Sequence, residues 1–140
     1  MRALTRRNVA TVTQQRLARG RLGEDHAAEM LAAAGWRVLD RNARTRFGEL
    51  DIVGLDGDAL VFVEVKTGRA GATVGPPRPV LAVGPEKQRR LRRLGVGWIA
   101  DQREAGRRLP RFSQIRFDVI GVTVGGDGAV SDYEHLVDAF

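Results

Sequence analysis

The stretch FGELDIVGLDGDALVFVEVK, Phe47 to Lys66, constrains the fold of this chain more than any other. Two strongly apolar runs, ELDIVGL and ALVFVEVKT, flank Asp56-Gly57, a dipeptide that favours a tight hairpin. Side chains alternate across a strand, and directly opposed residues point to the same face. A two- or four-residue turn therefore predicts Leu50 and Ile52 on one apolar face with Val61, Val63 and Val65. The other face then carries Glu49 and Asp51 beside Phe62, Glu64 and Lys66. A three-residue turn would mix the two sets and bury charge, which excludes it. Charged groups on a packing surface are costly unless they are paired or bind an ion. The hairpin thus predicts three carboxylates and a lysine gathered at one end of a sheet face.

The rest of the chain reads as one α/β domain. Its 140 residues suffice for a single core, and its 43% hydrophobic and 29% charged fractions are ordinary for a globular protein. A helix ends near Gly35, with Leu17, Ala27, Ala28 and Leu31 at helical spacing on one face. Gly20 and Gly23 leave its start open. Strand-like WRVLDRN precedes the hairpin. Residues 68–85, rich in Gly and Pro, read as a long mobile loop. A second amphipathic helix, Glu86 to Glu104, carries Leu91, Leu94, Trp98 and Ile99 on its apolar stripe, interrupted by Gly95 and Gly97. Then come the strand QIRFDVIGVTV, a turn at GGDG and a short tail. The order is helix, three strands, helix, then one or two strands, a mixed sheet flanked by helices. Residues 1–15 read as a basic, flexible arm, and residues 16–140 as the domain.

Charge is segregated along the chain. The formal net charge is +6, and 21 of the 23 cations are arginine, Lys66 and Lys87 being the exceptions. Cations concentrate in the first 22 residues and in EKQRRLRR, whereas acids concentrate between Glu24 and Glu64. A basic balance suits a polyanion such as nucleic acid, although an arginine-rich coding bias or a solvated helix face gives the same composition. Arg16, Arg19, Arg21, Lys87, Arg89, Arg90, Arg92 and Arg93 are the candidate phosphate-binding cations. The absence of cysteine excludes disulfides and thiolate metal sites. It suits a reducing cytoplasm. No run has the length of a signal-peptide core or a membrane span, so the expected location is cytoplasmic, with no membrane partner.

Two residues on the helices break their own patterns. Glu24 is collinear with Leu17, Ala27, Ala28 and Leu31 and so should face the sheet. Lys87 lies one turn before Leu91 on the apolar side of the second helix. Clustered carboxylates repel unless a cation neutralises them. An all-oxygen donor set favours Mg²⁺ or Mn²⁺ over Zn²⁺. Lys66 shares a face with Glu64, where it could orient or deprotonate a water or stabilise a pentavalent phosphate. Each residue has a plainer reading too. Glu64 and Lys66 could be a surface ion pair, Glu24 a helix-dipole acid, and Glu49 a surface acid rather than a ligand. His26 and His135 read as surface residues, and Trp36, Trp98 and Phe117 as core.

Together, Gly-Glu at 23–24, Gly-Glu-Leu-Asp at 48–51 and Val-Glu-Val-Lys at 63–66 resemble the YraN-like family of small bacterial proteins. That family in turn resembles the PD-(D/E)XK, or restriction-endonuclease-like, nucleases and the archaeal Holliday-junction resolvases. The resemblance is close from Gly20 to Lys66 and looser through EKQRRL, RFDVIGV and the terminal DAF. It implies a restriction-endonuclease-like α/β domain of order αβββαβ. It also implies Asp51 and Glu64 as metal ligands for Mg²⁺ or Mn²⁺, with the Val65 carbonyl completing the shell. Lys66 would be the catalytic lysine and Glu24 the helical acid of the resolvases. The implied partner is DNA, recognised by structure rather than sequence, with a homodimer as the arrangement to test. The resulting expectation is a metal-dependent endonuclease on branched or single-stranded DNA. The rival is a catalytically silent nucleic-acid-binding module or protein adaptor on the same fold.

Overall fold

The Asp56-Gly57 hairpin forms with a two-residue loop. Strand β2 (Gly48–Asp56) pairs antiparallel with β3 (Ala59–Arg69) from Asp56–Ala59 to Ile52–Val63. Gly57 takes φ 58° in the first loop position, where a tight hairpin needs the left-handed conformation that glycine adopts freely. The computed structural model describes residues 6–72 and 78–140, with side chains from residue 12 onward. These form helix α1 (Arg6–Ala33), strand β1 (Arg37–Thr45), the hairpin, helix α2 (Pro85–Glu104), and strands β4 (Gln114–Val124) and β5 (Val130–Leu136). The strands make one sheet in the order β1-β2-β3-β4-β5. All neighbours are antiparallel except β3 and β4, whose parallel pairing needs the crossover that α2 supplies.

A helix covers each face. Ala27 and Leu31 of α1 pack on Ile52, Val61, Val63, Ile120 and Val122. Leu91, Leu94 and Trp98 of α2 pack on Leu50, Val53, Leu60, Phe62 and Phe117. Helix α2 is continuous through its glycines for a packing reason: a Cβ on Gly95 would lie 2.9 Å from the Phe62 ring and 3.2 Å from that of Phe117. Alanine there gains helix propensity but overpacks two stacked rings. Gly95→Ala is therefore expected to destabilise by about 1–3 kcal/mol, read by denaturant unfolding. An unchanged midpoint would show that the rings can give way.

Several sequence expectations are corrected. Helix α1 runs unbroken through Gly20 and Gly23 from Arg6, so no break marks the arm boundary expected at residue 15. Leu17 is 59% exposed and not on the packing face. The helix, 28 residues at about 1.5 Å each, is about 40 Å long, and Leu17 lies in its exposed first half. The tail VSDYEHL is a full fifth strand, completing the order αβββαββ. Part of the loop expected over 68–85 is anchored. A 3₁₀ turn, Pro79–Ala82, buries Val80 against Gly121, and Arg78 pairs with Glu134. Its residues 73–77 lie outside the described residues. Among the described residues, no helix is long and apolar enough to cross a membrane.

Candidate functional site

The hairpin opens at Asp51. Leu50 belongs to the α2 core and Ile52 to the α1 core, so strict alternation fails between them. This corrects the expectation that the two share a face. The slip leaves Asp51 where β2 and β3 part, and its Oδ2 accepts the Val65 N–H at 2.8 Å. Glu49 departs from its expected place too. It lies beside Glu24 of α1 instead of sharing the Glu64 face, and Asn42 joins the two.

Four charged groups nevertheless meet at this opening. Glu64, only 8% exposed, stands beside Asp51, close enough for its charge to act on the Asp51 carboxyl. Lys66 and Lys87 each place Nζ 3.2 Å from Glu64 Oε1. Lys87, expected among the phosphate-binding cations, thus reaches into the site, and its place on the apolar stripe is explained. Burial, and then the Glu64 carboxylate, push Asp51 up to about 8, with the Val65 N–H working against them. Burial and the neighbouring Lys87 hold Lys66 below the ordinary lysine value, against the pull of Glu64. For Lys87, burial is outweighed by its hydrogen bond with Lys66 and by the Glu64 and Asp51 carboxylates, which hold it above that value.

Glu24 reaches the site from α1, as its collinearity required, and is half-buried. Burial raises it, opposed by the Arg41 charge and the Asn42 amide. Sequence reasoning missed Asn42. With its amide nitrogen turned to the acids, it donates to Glu24 Oε2 at 2.8 Å and to Glu49 Oε1 at 3.2 Å. It does so from a left-handed backbone, φ 49°, which asparagine tolerates better than most residues. The available signal was an asparagine inside a strand, where its propensity is poor.

The basic residues separate. Arg16 and Arg19 line a cleft of about 500 Å³ with Glu24, Val65 and Lys66, and Arg69 adds a cation that the sequence reading did not single out. Arg21 is exposed and lies outside it. The run from Arg89 to Arg93 does not make one face. Arg90 borders a hollow with Lys87, Arg92 lies over the Phe117 and Phe140 rings, and Arg93 borders another hollow with Phe47. Arg89 is exposed.

The donor chemistry suits a hard cation, because Asp51 and Glu64 offer adjacent oxygens whose repulsion a divalent ion would relieve. Among the described residues, no three Asp, Glu or His side chains group closely enough to hold an ion. A two-carboxylate site with water in the remaining positions is common for Mg²⁺. The raised Asp51 carries a stability consequence. Its carboxyl binds a proton more readily folded than unfolded, so the folded state loses stability as pH climbs from about 4 to about 8. Asp51→Asn keeps an oxygen for the Val65 N–H and removes the charge. In chelator, the variant should melt higher than the parent at pH 8, with the gap closing by pH 5. Parallel melting curves across that range would show that the two acids do not strain the fold.

These features define a small mixed-sheet α/β domain with a carboxylate–lysine cluster where its central hairpin opens. The chain belongs to the uncharacterised protein family UPF0102, whose model matches residues 23–122. It is 46% identical over 124 residues to a UPF0102 protein of Rhodococcus jostii, covering 89% of this chain and 97% of that one. It is 51% identical over 110 residues to one of Streptomyces griseus, covering 79% and 86%. It is 39% identical over 121 residues to one of Dictyoglomus turgidum, covering 86% and 95%. This is the YraN-like family that the motifs resemble. The matched segment contains Glu24, Asn42, Asp51, Glu64, Lys66 and Lys87, but begins after Arg16 and Arg19.

Proposed function

We propose that the protein is a divalent-metal-dependent DNA endonuclease of the PD-(D/E)XK type, acting on branched or single-stranded DNA. The observation that carries this reading is the junction of Asp51 and Glu64 with Lys66 Nζ 3.2 Å from the Glu64 carboxylate. Asp51 and Glu64 would hold Mg²⁺ or Mn²⁺, with the Val65 carbonyl on the same strand. The bound ion would supply Lewis-acid polarisation of the scissile phosphate and a water of lowered pKa. Lys66, fixed by Glu64, directs its Nζ to the charge that builds on the phosphate oxygens. Lys87 shares the Glu64 carboxylate and keeps Lys66 from folding onto it alone. Glu24, steered by Asn42, faces the same opening from α1 and acts on water. The arginines of α1 and α2 hold backbone phosphates.

A second reading has its own observation. Glu64 is occupied by two lysines, an arrangement that also suits a fold that binds nucleic acid without cutting it. The test is incubation with linear, single-stranded, flap and four-way-junction DNA, in Mn²⁺ and in chelator. Metal-dependent cleavage of one structure is expected. Binding without cleavage of any of them selects the second reading.

A further inference from the structure

Gly20 is a glycine without a packing reason. It lies in the interior of α1, where glycine costs about 1 kcal/mol relative to alanine. A Cβ built on it meets nothing within 4 Å. Gly23, three residues on, is the contrast: its Cβ would fall 2.0 Å from Thr67 Oγ1, so contact between helix and sheet demands glycine there. What Gly20 borders is the cleft of about 500 Å³ between α1 and the end of β3.

That cleft gathers arginines that no carboxylate pairs with among the described residues. Arg16 and Arg19 enter it from α1, and Arg69 from β3, beside Lys66 and Thr67. Among the described residues, none of the three guanidinium groups has a side-chain hydrogen bond, ion pair or ring contact. Elsewhere, Arg41 is paired with Asp25, and Arg116 with Asp56 and Asp118. Like charges converging on an open cleft repel until an anion enters. Arg16 and Arg19 stand one turn apart, about 5–6 Å at Cβ, which serves successive anionic groups better than a single one. Among the described residues, no aromatic ring lines the cleft, so they offer no stacking platform for bases. Glu24 at its inner end repels phosphate and marks where the arginine-bound path meets the carboxylates.

We infer that this cleft seats one single nucleic-acid strand, its phosphates on Arg16, Arg19 and Arg69 and its backbone passing over Gly20 toward Lys66. The inference rests on the function proposed above and narrows the substrate to DNA with a single-stranded segment at the cut. A cleft of this volume is in the range of about 300–1,000 Å³ that encloses ligands of small-molecule size. Lined by one face of α1 and the end of β3, the cleft offers a single backbone path, to which one flexible strand conforms more readily than a rigid duplex. With the backbone held and the bases unread, the site is indifferent to sequence.

The test is binding of a short fluorescein-labelled oligothymidine, followed by anisotropy in chelator, where cleavage plays no part. Three phosphate contacts give a salt slope of about −2, at about −0.7 per contact on single strands. Arg16→Ala, Arg19→Ala and Arg69→Ala should each flatten it by about 0.7, whereas Arg107→Ala and Arg108→Ala leave it unchanged. Gly20→Leu should raise the melting temperature, because helix propensity improves, yet weaken binding roughly tenfold by filling the path. Full affinity in Gly20→Leu overturns the inference, and so does equal competition by blunt duplex. Equal competition by pyrophosphate would make the cleft a small-anion site and overturns it as well. Binding that passes these tests without cleavage anywhere removes the nuclease reading and leaves this one standing.

Discussion

Asp118→Ala is expected to cost about 3–5 kcal/mol and to lower the melting temperature by roughly 10–20 °C, without touching the candidate site. Asp118 is fully buried on the α1 face of β4. It accepts Arg116 Nε at 2.9 Å and a second Arg116 nitrogen at 3.0 Å, His135 Nε2 at 2.8 Å and the Asp138 N–H at 2.9 Å. Arg116 also reaches Asp56 at the hairpin turn, at 2.9 Å. One carboxylate therefore ties β4, β5, the hairpin and the chain's last turn together. Alanine leaves a mostly buried guanidinium with Asp56 as its one paired carboxylate among the described residues, and removing one partner of a buried pair costs far more than the pair contributes. Burial by itself would raise the Asp118 carboxyl, but His135, Arg116 and the Asp138 N–H outweigh it and hold it below the ordinary range. Such an acid stabilises fully above its unfolded value, near 4, and loses that contribution as pH falls through the lower folded value. The deficit of Asp118→Ala, measured by denaturant unfolding, should therefore be full at pH 7 and shrink in acid. A variant within 1 kcal/mol of the parent at pH 7 would falsify this assignment.

His135 shows why part of the molecule could not be read from the sequence. It reads as a surface histidine because nothing nearby in the chain pairs with it. Its partner is Asp118, 17 residues away across the β4–β5 pairing. The tail had to be recognised as a strand before that contact could be seen. Leu17 fails for a related reason. Helical spacing gives the face of a residue but not the length of the sheet beneath it. The hairpin divides in two. Its turn and register followed from Asp56-Gly57, because apolar alternation and turn chemistry are both local. Its upper end did not, because the slip at Asp51 breaks the alternation from which faces are deduced. Asp51, Glu64 and Lys66 still came out as neighbours, since a cross-strand pair stays close whichever side it leans to. Glu24 and Lys87 were legible as charges on apolar stripes, an anomaly with a spatial meaning. Asn42 was not, because its role depends on two acids brought to it by other elements.

The site assignment predicts a split between two measurements, and the split is more telling than either alone. Asp51→Ala and Glu64→Ala should each lower cleavage by roughly 10²–10⁴-fold or more, as should Lys66→Ala. Glu24→Ala should lower it less, because Glu24 stands apart from the Asp51–Glu64 pair. Metal binding should divide the same variants differently. A ligand that binds only the folded state raises its stability in proportion to the logarithm of its concentration over its dissociation constant. Mn²⁺ should therefore raise the melting temperature of the parent. Asp51→Ala and Glu64→Ala remove the oxygens and should lose that rise. Lys66→Ala removes a cation that competes for Glu64 at 3.2 Å, so the rise should persist or grow while cleavage is lost. Lys87→Ala should also keep the metal response and should retain more cleavage than Lys66→Ala, because Lys66 shares the strand and face of Glu64. Loss of the Mn²⁺ response in Lys66→Ala would place that lysine in structural support of the carboxylates. A full response and parental cleavage in Asp51→Ala and Glu64→Ala would move the chemistry away from the open end of the hairpin.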